Sequence, residues 1–476
     1  MTPHVVIVGG GIAGLATAYA LRQAAGDHHL PVRVTLVERD SRLGGKIVTD
    51  TPSGFVIEGG PDSFITQKPW ALQLCRELGL AERLVGTNDA QRAVYVLRGG
   101  KLRRMPDGML LIVPTRFLPF VTSDLISWPG KLRMGLDLLI KRRRDRSDES
   151  LASFIRRRLG QEALEVLAEP MMAGIHVSDA ETLSLQATFP RFVDIERKYG
   201  SLTRGMIAAR RASAARANGD GPGKTTIFMT LQGGLQELVS ALERSISGEI
   251  RLNSGVARLQ PLPGGGYRLT LEDGTALDAD AVVLAAPAFV SAGLLRDLSP
   301  QLASRLDAIR YVSTATVSLG YDASDFGHPL DGFGFVVPRS EPSRLLACTW
   351  TSTKFPQRAA PGTVLLRAFV GGPHREELAE MDEDALIGLV RQELRSVLGV
   401  SAAPRVARVY RWRRGNPQYD VGHLDRVTEI ERLCPPGLYL TGSAYRGVGI
   451  PDCVLQGRDT AREVALYLAQ LAPVAR

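Results

Sequence analysis

The run His4-Val-Val-Ile-Val8 is apolar and β-branched without alternation, the pattern of a strand buried on both faces of a parallel sheet. Glycines cluster from Gly9 to Gly14, and Leu15 to Gln23 then carries Leu15, Tyr19 and Leu21 at helical spacing. Val32 to Val37 repeats the buried-strand pattern, so the chain opens on a βαβ unit. Further along, Ala281 to Pro287 and Gly437 to Gly442 predict two more buried strands, the second leading into a helix through Leu468. Thr230 to Gln236 reads as a turn entering a helix, and Ala315 to Tyr321, Phe333 to Val337 and Val364 to Val370 read as strands of a separate sheet. Residues 91–223 have a mostly helical pattern. There, Trp128 to Arg144 sets Leu132, Leu136, Leu139 and Ile140 near one helical face and ends in Lys141-Arg-Arg-Arg144. Gly174 stands where a helix beginning near Gln161 would end, and the Ala/Arg/Gly-rich stretch Ala208 to Gly223 predicts a flexible loop.

Chemistry sharpens the opening unit. Gly9-Gly-Gly-Ile-Ala-Gly14 matches G-x-G-x-x-G directly after a strand. Gly9 permits the tight turn, Gly11 lets backbone approach a diphosphate, and Gly14 lets the helix pack closely on the strand. The free N–H groups and dipole of a helix N-terminus favour that anion. Glu38, at the end of the second strand, offers a carboxylate to a ribose 2′-hydroxyl and would repel a 2′-phosphate. Arg39-Asp-Ser-Arg-Leu-Gly-Gly-Lys46 then supplies a second close backbone approach at Gly44 and Gly45, with Arg42 and Lys46 available to phosphate. A plain NAD domain has no need of this extension. The pattern points to FAD.

The totals narrow the class. A chain of 476 residues implies roughly two to three domains, and 44% hydrophobic with 23% charged residues is ordinary for a globular protein. Cys75, Cys348, Cys434 and Cys453 lie far apart without a C-x-x-C, which predicts neither a disulfide framework nor a zinc site and fits a reducing, cytoplasmic setting. The stretch His4 to Gly14 lacks a basic leader and reads as structured chain rather than a signal peptide. No uncharged stretch reaches the ~20 residues of a spanning helix. The net charge of +8 comes without a nucleic-acid motif, so no nucleic-acid partner is expected.

Seven further segments carry a resemblance. They are Gly59 to Phe64, Asp148 to Phe154, Gly174 to Asp179, Leu183 to Pro190, Gly332 to Pro338, Pro417 to His423 and Tyr445 to Cys453, in order over about 390 residues. With the E-x5-G-G-[RK] extension and the C-terminal motif, the chain resembles the FAD-dependent amine oxidase and phytoene desaturase superfamily. Within it, the chain is similar to the oxygen-dependent protoporphyrinogen/coproporphyrinogen oxidases of haem biosynthesis. The resemblance implies non-covalent FAD held by Gly9, Gly10, Gly11, Ile12, Ala13, Gly14, Glu38, Arg42, Gly45 and Lys46. It adds Gly60, Pro61, Asp62, Ser63, Val256, Ser443, Val448, Gly449 and Ile450. It also implies a porphyrinogen held by Gly174, Phe333 and Val336, with Arg92 on a propionate and Lys68 as a further cation. No metal and no catalytic acid or base is assigned. His176 is not nominated.

The implied reaction removes six electrons in three flavin cycles, each passing a hydride to the flavin, with O2 reoxidising it and yielding peroxide. Coproporphyrinogen III is the favoured substrate and protoporphyrinogen IX the alternative. An amine oxidase, a carotenoid desaturase and a flavin-free escort protein are more distant readings. The expected fold is α/β: a discontinuous Rossmann-like FAD-binding domain (1–90, 224–295, 404–476), a mostly helical insert (91–223) and a substrate-binding sheet domain (296–403). Similar enzymes use the helical domain at the membrane surface, so peripheral contact through Phe117, Phe120 and Trp128 stands beside a solvated helix end as a reading of the insert. Oligomeric state has no signature in the sequence.

Overall fold

β1 (His4–Val8), helix α1 (Ile12–Asp27) and β2 (Arg33–Val37) form the opening unit of the computed structural model, which describes residues 2–110, 112–217 and 226–471. β1 is buried along its whole length because it pairs on both sides, Val5 to Val8 opposite Val34 to Val37 and opposite Ala281 to Leu284. Among the described residues, five strands make this sheet, in the order Glu249–Arg251, β2, β1, Ala281–Leu284, Leu438–Leu440. Every pairing is parallel. The turns after β1, β2, Ala281–Leu284 and Leu438–Leu440 therefore gather at one edge, the carboxyl edge where open α/β sheets bind ligands. One face is covered by α1 and the C-terminal helix Ile450–Leu471, whose Leu15, Leu21, Val454 and Leu468 share a core. The other face is covered by an antiparallel meander, Val256–Pro261, Tyr267–Leu271 and Ala276–Ala279.

A second sheet is built from β3 (Ala93–Arg98), β4 (Tyr311–Asp322), β5 (Gly332–Val336), β6 (Thr363–Gly371) and β7 (Val406–Pro417), with Lys101–Arg104 and Ala347–Trp350. Its order among the described residues is β7, β4, β6, Ala347–Trp350, β5, β3, Lys101–Arg104. The sheet thus reaches beyond 296–403 at both ends. Ala93-Val-Tyr-Val-Leu-Arg98 is β-prone and closes a two-residue hairpin through Gly99 and Gly100, both at positive φ. It pairs in parallel with β5, and β7 pairs along β4.

The intervening segment is otherwise helical, around a core of Phe154, Ile155, Leu167 and Phe192. Helix α2 (Trp128–Gly135) gives way to a 3-10 turn over Leu136–Leu138, so the expected single helix to Arg144 does not form. Asp137 is drawn inward instead: it pairs with buried Arg158 at 2.5 Å and accepts from the Ser201 hydroxyl at 2.6 Å and the Thr203 N–H at 2.8 Å. The helical run from Gln161 passes through a π turn over Leu164–Ala168, because Pro170 has no N–H to return to it, and continues as α3 (Glu169–His176). Gly174 lies inside α3 rather than ending it. Helix α4 (Leu202–Ala217) replaces the expected loop from Ala208, since alanine and arginine are strong helix formers; residues 218–223 fall outside the described residues.

Candidate functional site

The glycine turn sits at the carboxyl edge of the parallel sheet. Gly9 has φ 109°, and a side chain at Gly14 would collide with the Gly9 carbonyl. Gly11 caps α1 without any side-chain cap, no acidic residue lies in the first turn, and the space where a Gly11 side chain would stand is open. Ile12, Ala13 and Gly14 then present uncapped backbone N–H groups toward that space, which suits a diphosphate. Glu38 accepts from the Gly10 N–H at 2.6 Å and the Asp40 N–H at 2.9 Å, so the ribose candidate also fixes the turn. The Ser254 N–H donates to the Glu38 carbonyl at 2.8 Å, and Val256 opens its strand two residues later. The second glycine pair is stitched to the first: the Gly44 N–H donates to the Gly10 carbonyl at 2.9 Å, and Gly45 has φ 56°.

The two cations offered to phosphate also bond to protein carbonyls. Arg42 donates to the carbonyls of Leu43, Gly45 and Ile47 at 3.2, 2.6 and 3.1 Å and so braces that loop. Lys46 is part-buried with its ammonium on the Gly415 carbonyl of β7, and desolvation pulls its pKa down. Both jobs consume donors on protein carbonyls.

The turn Gly59 to Ser63 is bolted to the second sheet. The Gly59 carbonyl accepts from Trp412 Nε1 at 3.0 Å, Thr316 Oγ1 at 3.2 Å and Arg367 Nη2 at 3.1 Å; Arg367 also reaches the Gly60 carbonyl at 2.5 Å. A side chain at Gly60 would strike the Lys46 carbonyl. After Pro61, Asp62 pairs with Lys354 at 2.9 Å and accepts from the Ser63 hydroxyl at 2.7 Å. Burial works to raise the Asp62 pKa, but Lys354 and Arg367 outweigh it and hold the carboxyl well below the usual carboxylate range.

The C-terminal loop returns to the same edge. Gly442 has φ 116° and lies near Ala13 and Ala285, and Ser443 follows. Val448 packs on the helical core, and Gly449 and Ile450 begin the C-terminal helix. Cys453 in that helix is buried, and burial pushes its thiol up to about 12, so it stays protonated. Lys68 forms an ion pair with Asp452 at 2.7 Å, which ties the proposed substrate cation to this loop.

A bulge shapes the opposite wall. The register of β5 against β3 slips between Gly332 and Gly334, where Gly334 has φ 132°. The extra residue shifts the alternation, so Phe333 falls on the side of Val336 while Phe335 points into the core of the second sheet. Val336 packs on the helical core, and α3 lies against β5. Ala93 pairs with Gly332, which brings exposed Arg92 to the end of β5 that carries Phe333. His176, at the end of α3, stands edge-on to Phe189 at 5.2 Å; burial and then the charge of Lys68 lower its pKa to about 4.

The pattern of the flavin-containing amine oxidoreductases matches residues 12–465, nearly the whole chain. The chain belongs to that family. It is 38% identical to the coproporphyrinogen III oxidase of Bacillus subtilis over 98% of both chains, and 39% identical to that of Propionibacterium freudenreichii over 97% of this chain and 90% of the other. It is 33% identical to protoporphyrinogen oxidase 1 of Arabidopsis thaliana, over 99% of this chain and 90% of that one. Among solved structures, a candidate protoporphyrinogen oxidase from Exiguobacterium sp. 255-15 superposes with a TM-score of 0.87 at 34% identity, covering 98% of this chain and 99% of the other. A putrescine oxidase variant superposes at 0.71 with 18% identity, over 98% and 99%, and shares the fold.

This flavoprotein takes FAD, and its backbone fits the cofactor: an uncapped helix end over open space, a ribose carboxylate, and glycines where side chains would intrude. Arg367, Lys354 and Trp412 were not foreseen as site residues. A signal existed for Arg367, a lone charge in the apolar run Val364 to Val370, since a buried charge needs a partner. Lys354 and Trp412 lie far from Gly59 in sequence and had none.

Proposed function

We propose that this flavoprotein oxidises a porphyrinogen to the porphyrin in haem biosynthesis, with coproporphyrinogen III as substrate and coproporphyrin III and peroxide as products. The observation that carries the reading is the end-to-end similarity to three coproporphyrinogen III oxidases at 34–39% identity, against 26–33% for the plant protoporphyrinogen oxidases. FAD, when bound, would supply two-electron acceptor chemistry for the ring carbons, with O2 as the terminal oxidant. The chain's part is to hold and orient. The α1 N-terminus and Glu38 take the diphosphate and ribose, and Arg42 and Lys46 stiffen the loop between them. Phe333 and Val336 offer an apolar face to the macrocycle, Gly174 is a further contact to it, and Arg92 offers a guanidinium to a propionate. Six electrons leave the substrate, so the same wall must admit it, or let it turn, in three rounds.

The test is to mix purified holoprotein with colourless coproporphyrinogen III and follow porphyrin fluorescence and oxygen together. Three O2 consumed per porphyrin supports the reading; no fluorescence from an FAD-saturated sample, with turnover of a polyamine instead, removes it. A higher kcat/KM on protoporphyrinogen IX would transfer the assignment to that substrate.

A peripheral membrane position accompanies this reading. No helix among the described residues is long and apolar enough to cross a bilayer. Leu118, Trp128, Leu132 and Leu139 are 62–77% exposed beside Arg116 and Lys141 to Arg144, a combination that suits an anionic lipid surface. A cytoplasmic location is supported by the four unpaired cysteines.

A further inference from the structure

The segment Pro417 to His423 bonds both to the C-terminal loop and to the chain that leaves α3. On one side the Tyr419 hydroxyl donates to the Ser443 carbonyl at 2.9 Å and accepts the Gly447 N–H at 2.8 Å, spanning the bend of the C-terminal loop. Its ring lies flat on His423, centroids 3.8 Å apart at 13°, and His423 Nε2 reaches the Tyr445 carbonyl at 2.8 Å. Burial lowers His423 to about 4, so the ring is neutral and the carbonyl selects the tautomer with the proton on Nε2.

On the other side the same segment holds the chain that leaves α3. Gln418 Nε2 donates to the Val177 carbonyl at 3.2 Å. Val177 has φ 49°, a left-handed backbone that a β-branched residue adopts only when its surroundings impose it. The Ser184 N–H donates to the Tyr419 carbonyl at 2.7 Å and the Val421 N–H to the Thr182 carbonyl at 2.9 Å. Asp148 ties the assembly together, accepting the Ser184 hydroxyl at 2.6 Å and the Gly422 N–H at 3.0 Å. Gln418 and Tyr419 are 1% and 3% exposed, so water cannot replace these bonds.

We infer that Gln418 and Tyr419 are positioning residues that act in opposite directions from adjacent positions: Tyr419 sets the flavin loop Ser443 to Gly447, and Gln418 sets the loop after α3 on the substrate side. The inference rests on the flavoprotein reading for the first loop and on the porphyrinogen reading for the second. Because both side chains spring from one rigid segment, the distance between the two loops is fixed by the backbone between them.

Y419F and Q418M, each close to isosteric, separate the two arms in the full-length holoenzyme. Y419F is expected to raise the FAD Kd about tenfold, shift the visible flavin spectrum and slow anaerobic flavin reduction, while coproporphyrin III binding stays within about twofold. Q418M is expected to raise KM and the coproporphyrin III Kd about fivefold or more, with kcat, the FAD Kd and the flavin spectrum unchanged. If Y419F is insoluble, H423F must raise the FAD Kd in its place, since it keeps a ring under Tyr419 and loses only the bond to the Tyr445 carbonyl. Wild-type FAD and porphyrin affinities in the variants overturn the inference. So do FAD and porphyrin losses that fall together in both variants in proportion to Tm, the mark of a purely structural segment. A wild-type protein that binds FAD without oxidising porphyrinogen refutes the proposed function and leaves the Tyr419 arm standing or falling on its own flavin readouts.

Discussion

Gly457 of the C-terminal helix presses its bare α-carbon on the backbone of Ala13 in the first turn of α1: a Cβ there would sit 2.7 Å from the Ala13 carbonyl oxygen. It would also come within 3.0 Å of the Thr17 amide nitrogen. The helix that ends the chain thus braces the helix end that receives the diphosphate. G457A is expected to cost about 1–3 kcal/mol in urea unfolding, and G457V more, because the obstacle is backbone and cannot rotate away. Both variants should purify with less flavin, read as a lower ratio of absorbance at about 450 nm to that at 280 nm. Full flavin content in G457V would mean that α1 tolerates displacement.

The acid limb of the stability curve follows from His176 and His423, each lowered by burial to about 4. In the unfolded chain both titrate near 6.5. Between these values the unfolded state binds protons that the folded state does not, so unfolding is favoured as pH falls. Stability should be level above pH about 7 and decline from about 6.5 toward 4. In H423F the decline should be shallower, whatever its absolute stability. An equal slope in the variant would show that His423 is not buried neutral.

Phe333 and Val336 share a side of β5 only because of the bulge at Gly334. F333A should raise KM for coproporphyrinogen III about tenfold, the effect of roughly 1–2 kcal/mol of lost ring contact, with the flavin spectrum unchanged. G334A is expected to act more broadly. Its Cβ would strike the Cys348 carbonyl, so the strand must shift and carry Phe333 with it. Unchanged KM in both variants would remove β5 from the substrate wall.

Leu132 and Leu139 are 71% and 77% exposed. The double variant L132E/L139E should lose co-sedimentation with vesicles containing anionic phospholipid by at least tenfold, while activity on dissolved substrate is kept. Binding by the wild type should weaken with added salt, as expected of a basic rim. Wild-type protein that ignores such vesicles leaves the patch to another use.

Much of the flavin site was legible because its determinants are local. Gly9, Gly11, Gly14 and Glu38 lie within one βαβ unit, and their roles follow from φ, from close approach and from the polarity of a helix end. The parallel strands were legible because burial on both faces leaves an unbroken apolar run. Arg42 and Lys46 were read only as cations near phosphate. Their protein partners, carbonyls of Gly45 and Gly415, depend on how the loop closes and on β7, which is distant in sequence. The helix assigned from Trp128 to Arg144 failed for a similar reason: Leu132 and Leu136 have helical spacing, but Asp137 is taken by Arg158 from another helix.

By itself the sequence determined the dinucleotide unit and the resemblance that led to the family, since each rests on residue identity at short spacing. Tertiary structure decided which residues meet. It set Gly457 against Ala13, hung the Gly59 turn from Arg367, paired Ala93 with Gly332 across the second sheet, and placed Tyr419 and Gln418 between two loops. Those pairings arise from hydrogen-bond satisfaction and close packing between segments hundreds of residues apart, and no local pattern encodes the partner of a buried polar group.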